Sequence, residues 1–112
     1  MGDIAQEDEM FQEVLNKIQA LLGGKPLSDA ELVTKLEKKA EGTGLNWKTS
    51  VVDFLKLLGV DSSLNNRDAL AAELGISTEL KSGSAAKNEA LRKAIFKKIA
   101  ENGGNLPKYL MN

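Results

Sequence analysis

Between Glu7 and Leu22 the apolar residues fall at Met10, Phe11, Val14, Leu15, Ile18, Leu21 and Leu22, three and four positions apart, so they line one face of a helix. Its acidic first turn suits the positive end of the helix dipole, and Gly23-Gly24 supplies a cheap left-handed stop before a Lys25-Pro26 linker. Leu27-Ser28-Asp29-Ala30-Glu31-Leu32 is a capping signal: Ser28 caps, Glu31 reaches back, and Leu27 staples to Leu32. A second helix is therefore predicted from Ser28 through Leu32, Val33 and Leu36 to Ala40, ended by Glu41-Gly42-Thr43-Gly44.

Asn46 is the predicted cap of a third helix, on which Trp47, Val51, Phe54, Leu55 and Leu58 share a side and Gly59 is the stop. Ser62 or Ser63 caps a fourth, bearing Leu64, Leu70, Ala71 and Leu74 up to Gly75; the short connection predicts that the third and fourth pack as a corner. Residues 77–84 are polar and read as the loosest internal loop. A fifth helix spans about Ala85 to Asn102, with Leu91, Ala94, Ile95 and Ile99 inward and its bases largely outward. Leu106 to Met111 is too apolar to be a solvated tail and is expected to fold back on the core. The fold class predicted is all-α: a small orthogonal bundle of four helices with an additional N-terminal amphipathic helix. The division is placed at residues 1–26 for that helix and its linker and 27–112 for the helical domain.

Composition narrows the chemistry. The 112 residues contain no cysteine and no histidine, which excludes disulfides, His or thiolate zinc sites, thiol nucleophiles and imidazole bases. Carboxylate-only catalysis needs two converging acids of different pKa; Asp53 with Asp61, or Asp68 with Glu73, are the candidates, and nothing in their spacing singles out a pair. The double glycines follow helices instead of preceding them, so they are stops and not phosphate loops. No catalytic, cofactor or metal residue is assigned, and the chain is expected not to be an enzyme. With no apolar signal core and no spanning segment, it is expected to be cytoplasmic.

The net charge of −1 is unevenly spread: residues 1–22 carry five acids against Lys17, and residues 81–112 carry seven bases against Glu89 and Glu101. The bases Lys87, Arg92, Lys93, Lys97 and Lys98 are the candidate anion-binding set, small beside the basic load of a nucleic-acid binder, so nucleic acid is a disfavoured partner. Leu70 to Ser77 resembles the first half of a helix-turn-helix, but Lys81-Ser82-Gly83-Ser84 breaks the would-be recognition helix. Asp61-Ser62-Ser63-Leu64 resembles the Asp-Ser-Leu signature of acyl carrier proteins with an extra serine, and a helix cap is the simpler role. The candidate partner-binding face is Phe11, Val14, Leu15, Ile18 and Leu22 of the first helix, which a glycine-rich linker could let dock on the core, on a second copy or on another protein. Its acidic character would repel an anionic membrane.

Leu45-Asn46-Trp47-Lys48-Thr49-Ser50, the Leu57-Leu58-Gly59-Val60-Asp61-Ser62-Ser63-Leu64 corner, and Asn102-Gly103-Gly104 with Pro107 together resemble a bacterial family known as domain of unknown function 3597, over about Leu27 to Leu110. Asn46 stands where an aspartate is usual, and residues 77–84 are shorter and more polar than in the family. The resemblance implies an apolar N-terminal helix followed by a helical domain, with Trp47 as core anchor, and it implies no activity. The expectation is a protein-interaction or structural module, with self-association or an unidentified protein partner; the alternative is weak anion or nucleic-acid binding through the fifth helix.

Overall fold

A computed structural model describes residues 9–25 and 31–111. The helices are α1 (Glu9–Leu21), α2 (Leu32–Ala40), α3 (Val51–Leu58), α4 (Leu64–Glu73) and α5 (Ala85–Glu101), followed by a 3-10 turn at Lys108–Leu110. No strand occurs among the described residues. The all-α expectation therefore stands.

The helix starts follow local chemistry, with two departures from the sequence reading. Ser63 and Ser84 each sit in extended backbone and accept a hydrogen bond from the amide three residues on, Asn66 N at 3.3 Å and Lys87 N at 3.1 Å. For α3 the cap is Ser50 and not Asn46: Ser50 Oγ accepts from Asp53 N at 3.2 Å. The Asn46 carbonyl instead closes a separate turn, accepting from the amides of Thr49 and Ser50. The extended backbone of Ser50 breaks that turn from the helix, so Trp47 lies ahead of α3, and Asp53 Oδ2 ties the two together by accepting from Asn46 N at 2.9 Å. The second departure is α2, which begins at Leu32. Glu31 stands before it with non-helical backbone (φ −85°, ψ 74°) and makes no side-chain capping bond, so it cannot fill the third helical position that the capping box required. Leu27 and Ser28 lie outside the described residues.

Glycine is required for different reasons at two of the stops. Gly59 adopts φ 77°, ψ 22°, which lets Val60 N reach back to Leu55 O at 2.9 Å and turns the chain away from α3. At Gly104 the issue is space: a Cβ would meet Ile99 Cγ2 at 2.6 Å and Ile99 O at 3.0 Å. This close approach brings the closing segment back over α5, where Leu106 and Leu110 are buried as expected, while Tyr109 remains 61% exposed.

The interior is one apolar cluster to which every helix contributes. At its centre Phe54 of α3 and Phe96 of α5 meet edge to face, centroids 4.9 Å apart, and Trp47 stands against Phe96 at 6.1 Å, also edge to face. The sequence reading did not place Phe96 inward. It is fully buried because α5 is flanked by α3 on one side and α4 on another, so its apolar stripe is wider than the Leu91, Ile95 and Ile99 line. The corner expected between the third and fourth helices is not a principal contact: α4 packs on α1 and α5, and α3 on α1, α2 and α5. The reason is that α4 buries only Leu70 and Ala71, near its end, leaving Leu64 exposed. That end meets the start of α1, where both Glu73 carboxylate oxygens accept from α1 backbone amides, Met10 N at 3.0 Å and Phe11 N at 2.7 Å.

Candidate functional site

The five residues of the candidate partner-binding face are interior. Phe11, Val14, Ile18, Leu15 and Leu22 are all buried within the common cluster. In this structure α1 docks on its own chain, through α3 and α4, and presents a mainly polar side to solvent.

The candidate anion-binding bases do not converge. Arg92 turns inward: it is buried, its Nη1 donates to the Lys48 and Leu110 carbonyls at 2.9 and 3.2 Å, and its Nε and Nη2 grip Glu89 at 3.1 and 2.7 Å. This corrects the outward placement read from the sequence, because a guanidinium at the meeting of α5, the 45–49 segment and the closing turn can satisfy carbonyls that no amide reaches. Lys87 Nζ pairs with Asp68 Oδ1 at 2.9 Å, and Lys93 Nζ lies 4.0 Å from Glu89 Oε2. Lys98 Nζ sits 5.6 Å above the Phe11 ring. Lys97 is exposed and shares a polar depression with Glu73 and Glu101, so its surroundings are of mixed sign. The carboxyls of Asp68 and Glu89 are held below their usual range, Asp68 chiefly by the Ser82 hydroxyl and then by Lys87, and Glu89 chiefly by Arg92.

The four acids weighed for catalysis each have a structural contact. Asp53 binds Asn46 N, Asp61 accepts from Ser63 N at 2.8 Å, Asp68 takes Ser82 and Lys87, and Glu73 clasps α1. Among the described residues no group of three or more acids could hold a metal ion, and no helix is long and apolar enough to cross a membrane. Ser63 caps α4, and residues 77–84 form turns with no second helix of a helix-turn-helix.

One surface feature was missed by the sequence reading, which gave Trp47 only a core role. The last turn of α2 and the 45–49 segment enclose an open groove of about 390 Å³, with Ala40, Leu45 and Trp47 as its apolar lining and Glu37, Glu41 and Lys48 as its charged lining. Trp47 is only 3% exposed. Its indole N–H makes no hydrogen bond among the described residues, and the residue forms part of the groove lining. Beside it, Lys48 Nζ bonds Glu37 Oε2 at 2.7 Å and lies 5.7 Å over the Trp47 ring. The Glu37 carboxylate holds that ammonium above the usual lysine range, and the exposed Tyr109 hydroxyl contributes in the same direction. The Gly42-Thr43-Gly44 turn ahead of an aromatic was the available sequence signal, but only the folded chain shows that Trp47 lines a groove.

The model of the family described as Domain of unknown function (DUF3597) matches residues 10–107. The match extends beyond the resemblance noted from Leu27 onward and takes in almost all of α1. No curated protein and no solved structure matches the chain.

Proposed function

The chain belongs to the DUF3597 family, and from that premise we propose that it is a non-catalytic interaction module that holds an extended segment of another protein in the groove between α2 and the 45–49 segment. The observation that carries this reading is Trp47, a residue that lines a largely apolar groove and whose indole N–H has no acceptor among the described residues. A donor in such a place is matched by a peptide carbonyl, while Ala40 and Leu45 supply apolar contact for a side chain beside it. Arginine- and lysine-mediated anion binding by α5 is the weaker reading, since four of its five candidate bases already have carboxylate, carbonyl or ring contacts.

The test uses a photo-reactive residue in place of Thr49, which lines the groove and is exposed, and a second at Lys97, on the exposed face of α5. Irradiation in the native cell should yield an adduct from position 49 that is absent from position 97 and is lost when Leu45→Glu charges the groove. Identical products from both positions, or adducts indifferent to Leu45→Glu, would count against the groove.

A further inference from the structure

We propose that the segment held in this groove carries a lysine or arginine next to an aliphatic side chain, with the cation facing Glu41 and the negative end of α2. The inference rests on the groove reading above and adds the chemistry of the occupant.

The charges lining the groove are two carboxylates, Glu37 and Glu41, against one ammonium, Lys48. That ammonium is engaged, 2.7 Å from Glu37, so it offers little to an incoming anion. Glu41 has no ion-pair or side-chain hydrogen-bond partner among the described residues. It follows directly on the last turn of α2, whose backbone carbonyls add partial negative charge in the same place. The two lysines of that turn do not cancel this within the groove. Lys39 lines a different cleft, with Lys17 and Leu58, and Lys38 is not among the α2 residues that line the groove, which are Glu37, Ala40 and Glu41. An anionic or purely apolar segment would leave Glu41 uncompensated beside it; a basic one gains an ion pair while its neighbouring side chain covers Leu45 and its carbonyl accepts from Trp47.

Trp47 is the only tryptophan, so the indole N–H gives a single resonance that reports on the groove. Three acetylated, amidated pentapeptides serve as probes of the full chain: Gly-Lys-Leu-Lys-Gly, its glutamate counterpart and its serine counterpart. The lysine peptide should shift the indole resonance saturably, and Glu41→Gln should weaken it about twofold to fivefold, the scale of one exposed ion pair. Raising salt should weaken it further. Lys56→Gln, on the exposed side of α3, should change neither. If the serine or glutamate peptide shifts the indole equally well, or Glu41→Gln has no effect, the cation preference is overturned while the groove reading survives. If no peptide moves the resonance, the occupant chemistry is overturned and the groove stands or falls on the position-49 adduct.

Discussion

Arg92 shows how much a single side chain can decide. Its guanidinium joins three separate pieces of chain, the 45–49 segment through Lys48 O, the closing turn through Leu110 O, and its own helix through Glu89. Hydrogen bonds from a charged donor to buried carbonyls contribute about 1.5–3 kcal/mol each, and the Leu110 bond is buried. Arg92→Ala should therefore destabilise by about 2–4 kcal/mol in urea unfolding, and Arg92→Lys should recover little, because an ammonium cannot reach in three directions. Glu89→Gln should cost much less, since Glu89 is nearly half exposed and its pair is partly screened. The pH dependence has a definite sign. Glu89 is depressed in the folded state, so its contribution is present above the ordinary glutamate range and is lost as pH falls through the depressed value. The stability difference between wild type and Glu89→Gln should shrink on that acid side and stay constant around neutrality.

At the scale of the elements, α1 looks autonomous in sequence and is not so in the fold. Five of its large apolar side chains, counting Leu22 just past its end, are buried. At about 1.5–3 kcal/mol per buried side chain they represent stabilisation comparable with the whole net stability of a small domain. Glu73 adds a clasp on the first amides of the helix, which have no partner within α1. Removing residues 1–24 should abolish the cooperative thermal transition followed by circular dichroism, and Glu73→Ala alone should lower its midpoint. A truncated chain that still melts sharply near the wild-type temperature would restore the idea of a detachable arm. The same scale accounts for what was legible: α1, the stop of α2 at Ala40, and nearly all of α5 follow from apolar spacing and glycine stops. The start of α3 was misplaced because Asn46 and Ser50 are both competent caps, and only the folded chain shows that the Asn46 carbonyl closes a separate turn while Ser50 caps the helix.

For the whole molecule, one apolar cluster shared by every helix implies unfolding in one step. Trp47 fluorescence, which reports the aromatic centre, and helical circular dichroism, which reports α1 and α5 as well, should give coincident denaturation curves; separated midpoints would show that part of the chain folds independently. Several of the bases that make the end of the chain positive are engaged locally. Lys98 lies over Phe11 of α1, and Lys87 and Arg92 are taken up by Asp68 and Glu89. The sequence by itself determined that the chain is helical, approximately where each helix lies, and that thiol and imidazole chemistry is absent, because spacing, caps and composition act over a few residues. Tertiary structure alone decided that the face of α1 is interior, that Arg92 points inward, and that Trp47 lines a groove. Each of these depends on which distant segment covers a side chain, and that is set by packing between helices far apart in the chain.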